Sequence, residues 1–239
     1  MLNRRFRTGV MLSILGTLLL GFFVTPTWAA QSDPSWSTRG DSRACSAPIS
    51  YDKVSSKGPG VGRRVLVIGD SLTRDSRQML TKSLKRSGWN PTIRCFGGKR
   101  IDWGMQQIRA QRAWVGLPEI VIVALGTNDM RWIDTATTKT RIEKILDQLG
   151  PKRSVLWVNL YGGNGDRFSK SKQAWFNKTL AKIASKRGNV SVLAWAGKAK
   201  QAKIPMSGPL HYAHRGLVTR TKFTVDALNR IHGQIPPAM

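Results

Sequence analysis

The sequence is poor in acidic residues, histidine and cysteine. Its 239 residues include 13 Asp and Glu against 39 Lys and Arg, which gives a formal net charge of +26 at pH 7. The three histidines and two cysteines form no cluster with metal-ligand spacing, so we predict no metal site and no cofactor. The shortage of negative charge instead predicts a surface that attracts polyanions.

The first 29 residues have the pattern of a secretory signal peptide. A basic start is followed by an apolar stretch over 10–24, and Thr27 and Ala29 occupy the −3 and −1 positions of a small-residue cleavage site. This stretch is shorter than the roughly 20 residues of a membrane-spanning helix, although an uncleaved N-terminal anchor is the alternative. We therefore predict an exported protein, secreted, periplasmic or attached to the cell wall, that is cleaved after about Ala29.

Residues 30–62 are rich in Ser, Gly, Pro and Asp without a sustained period, and are predicted to form an N-terminal extension before a domain at 63–239. The two cysteines, Cys45 and Cys95, suggest a disulfide, because an even cysteine count in an exported protein favours pairing. Two unrelated thiols are the alternative. A bridge would join the extension to the second predicted strand.

The domain alternates apolar segments of strand length with segments of helical spacing. The predicted strands are 63–70, 89–96, 119–126, 154–161 and 190–195, and the predicted helices are 73–87, 101–114, 136–149, 168–187 and 216–232. Continuous apolar strands that alternate with helices are typical of parallel sheets covered on both faces. We predict the α/β class, as a three-layer α/β/α sandwich with a central, mostly parallel five-stranded sheet.

Ser71 comes directly after the first apolar strand and before a helix that is predicted to begin near Thr73. Ligands of such folds bind at the carboxyl ends of the strands, and a helix N-terminus there offers free N–H groups to a developing negative charge. Ser71 is therefore a candidate nucleophile. The alternative is that Ser71 only caps the helix.

Two further strand-end loops, and a loop before the last predicted helix, carry residues that suit acyl-transfer chemistry. Asn128 lies in "LGTNDM", Gly98 follows Gly97 in "CFGGKR", and His211 lies in "GPLHYAHRG". A histidine can act as the base for a serine, while backbone N–H groups and a side-chain amide can bind an oxyanion. With Ser71, these loops therefore supply a candidate nucleophile, a candidate base and candidate oxyanion donors.

These segments resemble the motifs of the GDSL or SGNH hydrolase family. "GDSLT" resembles its first block, "GG" its second, "GTND" its third and "LHYAHRG" its last, and the likeness extends over residues 63–232. The resemblance implies a flavodoxin-like SGNH hydrolase fold and a serine esterase. It also implies that Ser71 and His211 are the catalytic residues and that Ser71, Gly98 and Asn128 form the oxyanion hole. The flanking sequences are similar to the secreted or membrane-linked bacterial branch, which includes cell-wall O-acetyltransferases and esterases.

One position departs from the family pattern. The family usually has Asp three residues before the histidine, and Gly208 stands there in this sequence. Such an Asp orients the imidazole and stabilises its protonated form. Three alternatives remain: a backbone carbonyl orients His211, another carboxylate arrives from elsewhere in the fold, or the protein is slow or inactive. Asp226 is a poor candidate for that carboxylate, because it lies well inside the last predicted helix.

The sequence thus predicts an exported serine esterase or acyltransferase whose substrates are ester-linked acyl groups, such as the O-acetyl groups of cell-envelope glycans. Arg74 and Lys99 are candidates for binding the substrate, and the positive charge predicts binding to anionic envelope polymers. The alternative is a weak or inactive domain that only binds such polymers. No nucleic-acid ligand is predicted, because the basic residues form no recognisable module, and no specific protein partner is inferred.

Overall fold

Five parallel strands form the central sheet of the computed structural model. The structure describes Cys45, residues 53–163 and residues 167–233, so the predicted signal peptide and most of the predicted extension lie outside the described residues. The strands are β1 Arg64–Gly69, β2 Asn90–Cys95, β3 Ile120–Ala124, β4 Ser154–Val158 and β5 Val190–Leu193. Their order is β2-β1-β3-β4-β5 and every neighbouring pair is parallel.

Helices cover both faces of this sheet. They are α1 Ser71–Arg86, α2 Ile101–Val115, α3 Thr127–Trp132, α4 Thr135–Leu149, α5 Lys170–Ala184, α6 Trp195–Gln201 and α7 His214–His232. Helices α1 and α7 pack against each other on one side, and α2, α4 and α5 form the layer on the other side. The predicted three-layer α/β/α sandwich is confirmed.

The core divides at the sheet because alternate side chains of a strand point to opposite faces. Val65 and Val67 of β1 belong to the cluster under α1 and α7, whereas Leu66 and Ile68 belong to the cluster under α2 and α4. All four side chains are almost completely buried. This explains why the strands read as continuous apolar runs rather than as alternating ones.

The first helix begins two residues earlier than predicted. Asp70 is its N-cap, and the Asp70 carboxylate accepts a hydrogen bond from the Leu72 N–H at 3.0 Å. The alternative that Ser71 serves only as the helix cap is therefore wrong, because Asp70 performs that role and the Ser71 hydroxyl is left for other contacts.

Four short elements were not predicted, because each is too short to show a period. They are α3, α6 and the two strands of a small antiparallel hairpin, β6 Met206–Ser207 and β7 His211–Tyr212. The hairpin carries His211, and α3 carries Asn128. The short elements therefore hold two of the predicted site residues.

Cys45 of the extension is attached to the carboxyl end of β2. Cys45 is disulfide-bonded to Cys95 with the two Cα atoms 5.2 Å apart, and the Cys45 N–H donates to the Cys95 carbonyl at 2.9 Å. Both cysteines are buried. Within the described ranges, no helix is long and apolar enough to cross a membrane.

Candidate active site

A serine, a histidine and a carboxylate lie in contact at the carboxyl edge of the sheet. Ser71 Oγ is 3.3 Å from His211 Nε2, and His211 Nδ1 is 2.5 Å from Asp75 Oδ2. An ionised carboxylate only accepts hydrogen bonds, so Nδ1 carries the proton and Nε2 is left as an acceptor for the serine hydroxyl. In this arrangement His211 can take the proton of Ser71.

The carboxylate comes from helix α1, four residues after the serine. Residues four apart lie on the same face of an α-helix, so Ser71 and Asp75 both face the histidine that the hairpin brings to them. Of the three alternatives left by the Gly208 departure, the geometry agrees with a carboxylate from elsewhere in the fold. Asp226 is exposed and pairs with Lys222 at 2.9 Å.

Sequence reasoning missed Asp75, although a signal for it was present. The spacing "SLTRD" places a carboxylate one helical turn after the candidate nucleophile. This spacing alone does not predict a catalytic acid, because any helix that starts with serine can carry an acid four residues later. It gains meaning only once the histidine is known to approach this face of α1.

Arg74 contacts the second oxygen of the same carboxylate. Its Nε and Nη2 donate to Asp75 Oδ1 at 3.1 and 2.8 Å, while Oδ2 faces His211. Both oxygens of Asp75 are thus engaged, which fixes the carboxylate in place. Arg74, which was predicted to bind the substrate, thus hydrogen-bonds to Asp75 in this structure.

The contacts shift the pKa values of the pair in opposite directions. The hydrogen bond with Asp75 raises the pKa of His211 above its ordinary value, and partial burial opposes that rise. Burial works to raise the pKa of Asp75, but the hydrogen bonds from His211 and Arg74 and their charges outweigh it, so this pKa lies below its ordinary value. The geometry thus favours a carboxylate that stays ionised and stabilises a protonated imidazole.

A second carboxylate, that of Asp70, belongs to the residue that directly precedes the serine. Asp70 is fully buried, and burial raises its pKa to about 6 against the opposing charge of Arg220 and the hydrogen bond from Leu72. Arg220 of α7 is itself buried and donates to the Leu72 carbonyl at 3.2 Å. The turn that presents Ser71 is therefore held from the N-terminal side by Asp70 and from the opposite helix by Arg220.

The three predicted oxyanion donors lie in loops or first turns at this edge. Ser71 is the first residue of α1, so its N–H has no acceptor within the helix. Gly98 has φ +79°, and a Cβ there would meet no atom within 4 Å, so this side of the backbone is open. Asn128 is buried, and its amide donates to the Lys99 carbonyl at 3.0 Å and to Asp70 Oδ2 at 3.4 Å.

Lys99, the other predicted substrate-binding residue, and the buried Asp129 both have structural contacts. The Lys99 ammonium lies 4.7 Å from the centre of the Phe96 ring. Asp129 accepts from the Ile101 N–H at 3.0 Å and from Arg141 at 3.1 Å, and so links α3 to α2 and α4. Among the described residues, no group of three or more His, Cys, Asp or Glu could hold a metal ion.

Comparisons with known proteins give structural matches only. No protein-family model matches the sequence, and no curated protein matches it. The structure is similar to a lipolytic protein of the G-D-S-L family from Veillonella parvula, with TM-score 0.59 and 17% identity over 70% of this chain and 98% of the other.

Two further solved structures have similar values. The C-terminal catalytic domain of Streptococcus pneumoniae peptidoglycan O-acetyltransferase A gives TM-score 0.58 and 19% identity, over 72% of this chain and 95% of that domain. The Clostridium thermocellum family 3 carbohydrate esterase gives TM-score 0.56 and 15% identity, over 72% of this chain and 99% of the esterase chain. This chain therefore has the fold found in GDSL-type esterases, as the motifs "GDSLT" and "GTND" predicted.

Proposed function

We propose that this chain is an exported serine esterase or acyltransferase that acts on ester-linked acyl groups. The observation that carries the proposal is the continuous contact from Ser71 Oγ through His211 to Asp75, at 3.3 and 2.5 Å. A hydroxyl, an oriented imidazole and an ionised carboxylate are the groups that activate a serine nucleophile. The fold shared with known esterases and an acetyltransferase supports the same reaction class.

The first half of the reaction forms an acyl-enzyme. The Ser71 oxygen attacks the ester carbonyl carbon while His211 Nε2 takes its proton, and the negative charge moves to the carbonyl oxygen. The N–H groups of Ser71 and Gly98 and the Asn128 amide are our candidates for binding that oxygen. The amide would give up its longer contact, the one to Asp70 at 3.4 Å, to bind the oxyanion. The carbon–oxygen bond to the alcohol then breaks, and the protonated His211 returns the proton to the leaving alcohol.

The second half of the reaction releases the acyl group. Water or a sugar hydroxyl gives its proton to His211 and attacks the acyl carbon, and Ser71 recovers its hydrogen from the imidazole when the carbon–oxygen bond to the serine breaks. Water as the acceptor makes the chain an esterase, and a sugar hydroxyl makes it an acyltransferase. The same residues serve both outcomes, because only the acceptor differs.

The proposed substrates are O-acetyl groups of cell-envelope glycans. Two features support this class: the signal-peptide pattern of the first 29 residues, and a net charge that remains +23 after removal of Arg4, Arg5 and Arg7. A positive exported protein is attracted to anionic polymers such as peptidoglycan or teichoic acid. The missing acid was the best support for the alternative of an inactive polymer-binding domain, and the contact between Asp75 and His211 weakens that support.

The test is ester hydrolysis by the Ser71→Ala variant. The mature wild-type protein is expected to hydrolyse p-nitrophenyl acetate and to release acetate from acetylated cell-wall glycan. Ser71→Ala is expected to lower kcat/KM by about 10³-fold or more, because the nucleophile is lost while the fold is kept. Equal rates for the two proteins would contradict the proposal.

A further inference from the structure

Negative charge is missing from one long part of the chain. Residues 167–225 contain thirteen Lys and Arg and no Asp or Glu. This segment forms α5, β5, α6, the β6–β7 hairpin and the first half of α7. Helix α6 and the hairpin follow the edge strand β5, so charge of a single sign collects beside the part of the site that carries His211.

A groove between α6 and α7 lies within this region. Its volume is about 490 Å³, and it is lined by Lys198, Val218, Thr219, Lys222, Phe223, Asp226 and Arg230. Three of these side chains are cations and all three are exposed. The single acid, Asp226, is paired with Lys222, so the lining keeps an excess of positive charge beside apolar side chains.

Cations continue from the groove to the hairpin. Arg215 lies in the first turn of α7, four residues after His211, and its Nη2 donates to the Lys203 carbonyl at 3.5 Å. Lys203 lies two residues after the end of α6, and both side chains are exposed. Exposed positive charge therefore extends from the groove along both helices to the base of the hairpin that carries His211.

We propose that the groove between α6 and α7 binds a carboxylate- or phosphate-bearing glycan chain and so holds an anionic polymer next to the site. Lys198, Lys222 and Arg230 would pair with the anionic groups, and the Phe223 ring offers an apolar surface for the sugar. A recess of this size fits a single chain, whereas a membrane surface is flat. Delivery of the polymer to Ser71 rests on the proposed function, but binding in the groove does not.

The experiment measures binding without turnover. All proteins carry Ser71→Ala, and their affinity for fluorescein-labelled polygalacturonate is measured by anisotropy at low salt and at about 0.5 M salt. The groove variant is Lys198→Gln/Lys222→Gln/Arg230→Gln. The matched control, Arg109→Gln/Lys144→Gln/Lys152→Gln, removes the same charge from exposed positions on α2, α4 and the turn before β4.

The groove variant is expected to bind about tenfold more weakly, because three exposed charge contacts of modest strength are lost together, while the control changes less than about twofold. The difference in polygalacturonate affinity between the groove variant and the control should disappear at high salt. Equal weakening of both variants, or equal binding of neutral dextran, would overturn the proposal. So would binding of anionic phospholipid vesicles or duplex DNA that depends on the groove while polygalacturonate does not bind.

The same groove substitutions made with Ser71 intact separate this proposal from the catalytic one. Turnover of p-nitrophenyl acetate is expected to stay within about twofold of wild type, because this small neutral ester needs no polymer site. Release of acetate from acetylated anionic glycan is expected to show a raised KM with little change in kcat. A wild-type protein without esterase activity would contradict the catalytic proposal and leave the binding result standing.

Discussion

Two serine–histidine contacts lie at opposite edges of the same sheet. Ser71 follows β1 at the carboxyl edge and meets His211 at 3.3 Å, whereas Ser154 begins β4 at the amino edge and meets His232 at 2.8 Å. Distance alone would favour the second pair. Their surroundings differ in two respects, so a short serine–histidine contact is not by itself evidence of a catalytic site.

The first difference is the contact made by Nδ1 of each histidine, the nitrogen that does not face the serine. Nδ1 of His211 faces the Asp75 carboxylate, which raises the pKa of the imidazole. Among the described residues, no side chain hydrogen-bonds to Nδ1 of His232, and burial together with the charge of Arg63 lowers the pKa of this histidine. Only His211 is prepared to hold a proton during a reaction.

The second difference is the backbone around each serine. Ser71 is the first residue of a helix, so its N–H and the positive end of the helix are open to a developing anion. The Ser154 N–H is already used, because it donates to the Glu119 carbonyl at 2.8 Å within the sheet. The backbone N–H of Ser71 is thus available to a ligand, whereas that of Ser154 is used within the sheet.

Of the changes that test this comparison, removal of the Asp75 carboxylate should lower activity the most. Asp75→Asn is expected to lower kcat/KM for p-nitrophenyl acetate by about 10⁴-fold, because the histidine loses the group that fixes its tautomer and stabilises its protonated form. Asp226→Asn is the matched control, since Asp226 pairs with Lys222 on an exposed surface, and it is expected to keep wild-type activity. A similar rate for Asp75→Asn and wild type would remove Asp75 from the catalytic group.

The pH profile gives a smaller and independent measure of the same contact. His211 must be neutral to take a proton, so kcat/KM of the wild type is expected to rise with pH through a pKa above the ordinary histidine value of about 6.5. Loss of the Asp75 charge lowers the His211 pKa, so the residual activity of Asp75→Asn should rise at lower pH. If kcat/KM of Asp75→Asn rose over the same pH range as that of the wild type, Asp75 would not act on His211.

Changes to the second pair should have the smallest effect. Ser154→Ala and His232→Ala are expected to leave kcat/KM within about twofold of wild type, because neither residue has the carboxylate or the open N–H groups of the first pair. Thermal unfolding of each variant shows whether the fold is retained. A large loss of activity in a folded Ser154→Ala protein would contradict the comparison between the two edges.

Most of the fold was predictable because it depends on local patterns. Each predicted strand overlaps an observed one, from β1 at Arg64–Gly69 to β5 at Val190–Leu193. Apolar runs between helical segments leave few ways to bury both faces of a sheet. The short elements α3, α6, β6 and β7 were not predictable, because helices of six or seven residues and strands of two residues are too short to show a period.

The sequence by itself determined the layered architecture, the excess of positive charge, the strand-end positions of Ser71 and Asn128, and the position of His211 shortly before the last helix. Only the tertiary structure decided which acid meets His211, since that contact joins residues 136 positions apart and depends on how the hairpin lies against α1. The motif pointed to Gly208, which has no side chain, and the fold brought Asp75 into contact instead. Spacing along a helix determines which residues share a face, but it does not determine what approaches that face.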